Sequence, residues 1–358
     1  MELSKLVREN ILRLKPYTCA RDEFRGGGAV FLDANENPYP NGCNRYPDPR
    51  QAALKQRIAE LRGVAPESII LGNGSDEVID LLIRSTCRPG VDNVVVFSPS
   101  YSMYEVSAAV NDAEVRKIGL REDFQPDTDA LAKAADGNTK LIFLCTPNNP
   151  TGNVIPLDTV ARICRMCPGS LVVADEAYID FADTPSAVTL MDRTPNLFVL
   201  QTLSKSWGMA GLRIGIGIGP AALVAVLDKV KAPYNISGPS QQAALELLAD
   251  TAGFTAKVAE IKSERERLYA ELTACAIFDR VYPSAANFLL ATTEKCRPLY
   301  EFLAGHGVVV RIRDIPPLIP GGLRISVGTS AENRRLMELL RRWNCRFLEK
   351  ATQKLLFT

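Results

Sequence analysis

The stretch SKSWGMAGLRIGIGIG, Ser204 to Gly219, sets a lone lysine between two serines, places an arginine eight residues later, and then puts glycine at every second position. It follows the apolar run NLFVLQT, residues 196–202, which reads as a buried strand. Lys205 therefore falls at the carboxyl edge of a sheet. A lysine desolvated there loses its proton more readily and becomes a nucleophile toward carbonyls. The alternating glycines read as a strand that passes close to its neighbours, where a Cβ would have no room.

Moving outward from this stretch, short apolar runs alternate with helical segments from about residue 67. SIILGNGS is a strand and turn, and SDEVIDLLIRSTC is a helix. DNVVVFSPS, EVRKIGL, KLIFLCTPNNP and SLVVADEAY continue the series, with helices expected from Tyr101 and from about Leu157. This is the pattern of an α/β domain with a largely parallel, buried sheet. Past residue 235 it changes. A long helix is expected over Phe254 to Cys275, ANFLLAT and LRISVG read as strands, and ENRRLMELLRRWNCRFL reads as an amphipathic closing helix. The expected organisation is a large cofactor-binding domain over residues 40–235. A smaller α+β domain is expected from 1–39 and 236–358.

The polar motifs sit directly after the strands: GNGSDE, SPSY, TPNNPTG, DEAY and TLSK. Ligands on open α/β sheets bind at the carboxyl ends of strands, so these loops converge. Their chemistry is complementary to pyridoxal phosphate, the usual partner of a nucleophilic lysine. Gly74, Ser75 and Asp76 open a helix whose free N–H groups suit a phosphate. Thr202, Ser204 and Arg213 can close on the same phosphate, Arg213 as a bidentate charge. Asp175 ends an apolar strand, and a buried carboxylate there calls for a cation such as a protonated pyridine. Asn149 and Tyr178 can hydrogen-bond the ring oxygen, and Tyr101 can stack on the ring. Singly, each feature has a plainer reading as a helix cap, a turn or a packing residue. The conjunction points to one site.

Composition narrows the alternatives. The 358 residues carry 42 basic and 41 acidic side chains, a net charge of +1, so no one-signed field exists to attract nucleic acid or an acidic membrane. No apolar run reaches the roughly 18 residues of a membrane span. The N-terminus, MELSKLVRENILRLKPY, reads as a short amphipathic helix ended by Pro16, without the apolar run of a secretory signal. Nine scattered cysteines argue against a disulfide framework and for the reducing cytoplasm. Cys164 and Cys167 form a lone C-x-x-C with no second pair or histidine to complete a metal site. The single histidine, His306, sits at a helix end, so acid–base work falls to lysine, tyrosine or a carboxylate.

The motifs resemble the fold type I pyridoxal-phosphate enzymes, the aspartate aminotransferase superfamily, and within it the histidinol-phosphate aminotransferase family. The resemblance spans nearly the whole chain. LKPY (14–17), LDANENPYP (32–40) and RYPDP (45–49) match its N-terminal signatures. GNGSDE, TPNNPTG, VADEAYIDF, TLSKSWGMAGLR, SAANFLL and LRISVGT follow in order and spacing. One position departs: the family often has alanine after the lysine, and this chain has Ser206, small enough to fit, followed by Trp207, expected to pack beneath the cofactor loop.

What the resemblance implies is an aspartate-aminotransferase-like large domain and a homodimer. Lys205 would be the Schiff-base lysine and proton shuttle, Asp175 the partner of the pyridine nitrogen, and Tyr178 and Asn149 the holders of the phenolic oxygen. Tyr46 would reach the partner subunit's cofactor phosphate. Arg324, Arg313 (with Arg311 close enough for the register to slip) and Tyr17 would contact substrate. Glu36 and Asn37 would line the substrate mouth or only shape it. The implied reaction passes an amino group between L-histidinol phosphate and 2-oxoglutarate, with imidazole acetol phosphate and L-glutamate on the other side. An aromatic amino-acid aminotransferase or a phosphothreonine decarboxylase would share the scaffold. A non-catalytic sensor is a remoter alternative, since sensors on this fold carry a DNA-binding extension for which the residues ahead of Leu32 leave no room.

Overall fold

A computed structural model describes residues 2–19 and 30–356. Its centre is a seven-stranded sheet in the order β1-β7-β6-β5-β4-β2-β3. The strands are β1 (Ile69–Asn73), β2 (Asn93–Ser98), β3 (Glu114–Gly119), β4 (Thr139–Cys145), β5 (Leu171–Asp175), β6 (Leu197–Thr202) and β7 (Ile214–Ile218). All pairings are parallel except those of β7, which runs antiparallel to both β6 and β1. The reversal has a positional consequence. The carboxyl ends of β1 and β6 meet the amino end of β7, with Asn73 opposite Ile214 and Thr202 opposite Gly215.

The apolar runs are nearly continuous because both faces of the sheet are covered. Along β5, Val172 and Ala174 enter one core with helices Ala52–Arg62, Leu157–Met166 and Gly238–Leu248, while Leu171 and Val173 enter the other with helices Ser75–Thr86, Met103–Val110 and Ala221–Val230. All four residues are fully buried. A Val or Leu buried this way contributes about 1.5–3 kcal/mol, which is why the pattern is so persistent.

The smaller sheet is antiparallel throughout, in the order β10-β11-β9-β8, from β8 (Arg280–Tyr282), β9 (Phe288–Thr292), β10 (Arg311–Ile312) and β11 (Gly322–Ser326). One face, through Leu289, Ala291, Leu323 and Ile325, packs with Leu268 and Leu272 of the long helix Thr251–Thr273 and with the helix Cys296–Gly305. That long helix begins at an N-cap, Asp250, whose carboxylate accepts from the Gly253 N–H at 2.8 Å. The opposite face turns Phe288 onto Tyr178 and Phe181.

The N-terminal segment differs from the expectation that it forms one helix within the smaller domain. Residues 3–12 form two short turns, Leu3–Leu6 and Glu9–Leu12, neither with a side-chain cap. Helices this short have no stability of their own. Leu6, Val7 and Ile11 instead bury themselves in the core cluster of the large sheet. The Arg8 N–H donates to the Ser85 carbonyl at 2.9 Å. The helix Gly238–Leu248 likewise sits with the large sheet, since Ala244 and Leu248 share a core with Leu54 and Ile58. Among the described residues, no helix is long and apolar enough to cross a membrane, and no cluster of side chains suits a metal. His306 ends its helix with Nδ1 2.7 Å from the Phe302 carbonyl.

Candidate active site

Six chain segments meet at the carboxyl edge of the large sheet. One cleft is lined by Gly74, Ser75 and Asp76 after β1, Tyr101 after β2, and Asn149 after β4. Asp175 and Tyr178 come from the end of β5, and Thr202, Ser204 and Lys205 from the end of β6, with Arg213 just ahead of β7. Arg213 reaches this edge because β7 runs backward. It occupies the left-handed region at φ 57°, and its carbonyl accepts the Gly74 N–H at 2.8 Å. The backbone thus ties the arginine to the turn that opens the helix Ser75–Thr86. No side chain caps that helix, so its first N–H groups and its dipole face the cleft.

The three glycines that alternate along and just past β7 each have an identifiable neighbour. A Cβ on Gly215 would lie 2.1 Å from the Ser75 nitrogen and 2.3 Å from the Gly74 carbonyl carbon, so β7 passes against the backbone of the turn that opens the helix Ser75–Thr86. At Gly217 and Gly219 the obstacle is the Phe198 ring, at 2.7 and 2.3 Å.

Lys205 stands at an open mouth and is exposed on that side, yet its amine is hemmed in by protein on the others. Desolvation lowers its pKa, and the Arg324 charge lowers it further. Its Nζ lies 5.7 Å from the centre of the Tyr178 ring. Asp175 is only 3% exposed, and burial raises its pKa. Its Oδ2 accepts from the Tyr104 hydroxyl at 2.6 Å and its Oδ1 from the Ala177 N–H at 3.1 Å. The Tyr101 hydroxyl donates to Asp76 Oδ1 at 2.9 Å, which fixes the ring's tilt at the cleft wall. Burial pushes the phenols of Tyr101 and Tyr178 up, so both stay protonated as donors. Thr202 Oγ1 donates to the Ile214 carbonyl at 3.2 Å and accepts the Ser204 N–H at 3.1 Å, shaping the loop just before the lysine.

Arg324, on β11, lies over the Phe288 ring and donates through Nη1 to Asn149 Oδ1 at 2.6 Å. Arg313 follows β10, and its N–H donates to the Gly322 carbonyl at 2.7 Å. Desolvation lowers its pKa first, then the like charges of Arg324 and Arg311, and the Tyr178 phenol feels Arg324 and Arg313 together. Arg311 and Arg324 share a separate hollow with Tyr300 and Ser326, and Arg313 stands near enough to Tyr178 and Arg324 to be felt by both.

Two expected residues lie elsewhere on this chain. Tyr46 stacks on Tyr234 with ring centres 4.5 Å apart and stays half exposed. Tyr17 is 67% exposed in a hollow between the helices Ala52–Arg62 and Ala221–Val230, away from the cleft. Glu36 is held by Arg45 at 2.7 Å and by the Tyr46 N–H at 2.6 Å, so it shapes its loop. Ser206 donates to Asp180 Oδ2 at 2.5 Å, and Trp207 stacks on Phe254 of the long helix, ring centres 3.9 Å apart.

Residues 30–340 match the family described as aminotransferase class I and II. The chain belongs to this family. A histidinol-phosphate aminotransferase of Parabacteroides distasonis is 50% identical over 340 residues, covering 95% of this chain and 98% of its own. The crystal structure of the histidinol-phosphate aminotransferase from Clostridium acetobutylicum superposes with a TM-score of 0.77 at 26% identity, over 84% of this chain and 91% of that one. The histidinol-phosphate aminotransferase of Sinorhizobium meliloti, solved in complex with pyridoxal-5'-phosphate, gives a TM-score of 0.75 at 26% identity, over 84% of each chain.

Sequence reasoning missed two residues around the aminotransferase cleft. Tyr104 stands in the first turn of the helix Met103–Val110, fully buried behind the cleft, with its hydroxyl on Asp175. Cys145 ends β4 beside Asp175, and burial pushes its thiol up to about 12, so it is inert. The residues of the aminotransferase fit pyridoxal phosphate on three independent counts. Asp175 is a buried carboxylate with no cationic side chain bonded to it among the described residues. Among the described residues, Arg213 beside the uncapped helix has no carboxylate partner, and neither has Lys205.

Proposed function

We propose that this aminotransferase moves an amino group between L-histidinol phosphate and 2-oxoglutarate, using pyridoxal phosphate held at Lys205. One observation carries the reading. An amine, a buried carboxylate and a guanidinium, none paired with another among the described residues, line one cleft. The likeness to histidinol-phosphate aminotransferases over nearly the whole chain supports the substrate pair.

Each group has a task. Arg213 and the N–H groups of the helix Ser75–Thr86 hold the cofactor's phosphate, with Ser204 and Thr202 shaping the loop. Tyr101 stacks on the ring, and Tyr178 and Asn149 donate to its oxygen. Asp175 keeps a proton on the ring nitrogen. When bound, the cofactor supplies an aldehyde carbon that accepts the amino group and a ring that withdraws electrons from the carbon losing its proton. Lys205, with its lowered pKa, takes that proton and returns it on the far side of the transfer. Arg324 and Arg313 receive the anionic end of each substrate in turn, a carboxylate or a phosphate. The planar guanidinium fork suits both.

The protein acts as a homodimer in the cytoplasm on this reading. Val30, Leu32, Tyr39 and Tyr46 expose large apolar surfaces in one N-terminal arm, which supports burial against a second copy. Tyr46 then meets the partner's cofactor phosphate, and Tyr46→Phe weakens cofactor binding. Cys43, Cys87, Cys145, Cys164, Cys167, Cys275 and Cys296 are free thiols, in keeping with a reducing compartment.

Visible spectra of the purified, cofactor-loaded protein test the reading. L-Histidinol phosphate should bleach the aldehyde band and 2-oxoglutarate should restore it, in wild type and not in Lys205→Ala. A yellow protein that ignores histidinol phosphate and answers another amino acid keeps the scaffold and removes the substrate. Release of carbon dioxide without a keto acid would assign it to the decarboxylases.

A further inference from the structure

The Asp175 carboxylate has two partners, and they differ in kind. The Ala177 N–H is a backbone group that any side chain would leave in place. The Tyr104 hydroxyl is a side-chain donor, fully buried, 2.6 Å from Oδ2. Its ring lies flat on Phe143, centres 4.5 Å apart and planes within 8°, and edge-on to Tyr101 at 5.6 Å. The hydroxyl is therefore aimed by packing on two sides. We propose that Tyr104 is a positioning residue that holds the Asp175 carboxylate in place and charged, so that the proton it shares with the cofactor's ring nitrogen stays on the nitrogen.

The proposal rests on the pyridoxal-phosphate reading above. Burial pushes Asp175 toward its protonated form. If it kept the proton, the ring nitrogen would be neutral and a poorer electron sink. A donor to the carboxylate opposes this by favouring the charged form. Burial and the Asp175 charge hold the Tyr104 phenol protonated, so it has a hydrogen to give to the carboxylate. The other groups that Asp175 faces are Asp76, Lys205, Cys145, Tyr101 and Tyr178. Of these, Asp76 disfavours the carboxylate's charge and Lys205 favours it, and neither is hydrogen-bonded to it. Tyr104 thus supplies, among the described residues, the side-chain hydrogen bond that opposes burial and favours the charged carboxylate.

The test is Tyr104→Phe, which keeps the ring and its stack. The visible absorption of the cofactor-loaded protein is titrated with pH, in wild type and variant. We expect the midpoint to rise by about one unit, a tenfold change in proton affinity, because a less positive ring withdraws less from the lysine-linked nitrogen. In half-reactions kcat should fall about tenfold with KM unchanged. The same pair is then reconstituted with a cofactor analogue that has carbon in place of the ring nitrogen, and there the two midpoints should coincide. Thermal melts of the cofactor-free proteins establish that both fold. A shift that persists with the carbon analogue, or no shift with the natural cofactor, overturns the proposal. A wild type without a visible band overturns the cofactor reading itself.

Discussion

Arg324 donates to Asn149 across 2.6 Å, and the bond joins the two sheets. Asn149 stands in the turn after β4 of the large sheet, and Arg324 in the middle of β11 of the small one. Phe288, on the neighbouring strand, lies under the guanidinium and against the Tyr178 ring, 5.1 Å between centres. The arginine is thereby held in one orientation with no carboxylate bonded to it among the described residues, which leaves donors unused by Asn149.

Removal of the charge at this position should be costly. Charge-assisted hydrogen bonds contribute roughly 1.5–3 kcal/mol, so Arg324→Gln should lower kcat/KM by about 10- to 100-fold for both the phosphorylated and the carboxylate substrate. Arg324→Lys should recover only part, because an ammonium lacks the fork. Steady-state kinetics on both half-reactions decide this. A loss confined to one substrate would show that the other anion binds elsewhere.

Lys205 should cost the cofactor-free protein stability. Its folded pKa lies below the 10.5 of a free lysine, because of desolvation and then the Arg324 charge. Between those two values the unfolded chain binds more protons, so stability rises with pH across that window. Below the window the penalty is present in full. Lys205→Met keeps most of the stem and has no proton to bind. The cofactor-free variant should therefore melt higher than wild type near pH 7, and the gap should close as pH climbs toward 10.5. Melting curves at three pH values suffice, and a gap that widens with pH is the contrary result.

Ser206 links the lysine loop to the turn that carries Tyr178. Its hydroxyl donates to Asp180, which also forms a two-pronged pair with Arg62 at 2.8 and 3.1 Å. Ser206→Ala removes one of these bonds and leaves the ion pair intact, so the loss should be about 1 kcal/mol with the visible band unchanged. Asp180→Asn should lose more, because it strands the Arg62 charge against a partly buried site. Equal melting points for the two variants would show that the serine and the arginine do not share one network.

Much of this was legible before any coordinates. β2, β4, β5 and β6 declare themselves because both faces are buried and their runs are apolar without a break, and the site loops follow from them. Arg213 follows from its spacing to the lysine, and Lys205 and Asp175 are readable as chemistry, since charged groups at the ends of buried strands need partners. The direction of β7 was not, because an alternation of isoleucine and glycine carries no sign of whether its neighbours run with it or against it. Nor was the docking of residues 3–12, where three apolar side chains fit any groove of suitable shape. Tyr17 and Tyr46 were placed by resemblance alone, and a single chain brings neither to the cleft. Tyr104 was overlooked because nothing marks a buried tyrosine as a donor until its acceptor is known.

Gly215 ties the glycine run to the candidate site. Its missing side chain is where β7 and the Gly74–Ser75 turn touch, backbone to backbone. Gly215→Ala should destabilise the protein by about 3 kcal/mol, the upper part of the range for overpacking, and push Ser75 and Gly74 away from Arg213. Cofactor affinity, measured by equilibrium dialysis, should fall at least tenfold. Gly211→Ala, four residues earlier, meets nothing within 4 Å and should change neither quantity noticeably. If the Gly215 variant unfolds in part yet binds the cofactor as tightly as wild type, then the phosphate is held by Arg213 alone and the helix N–H groups contribute little.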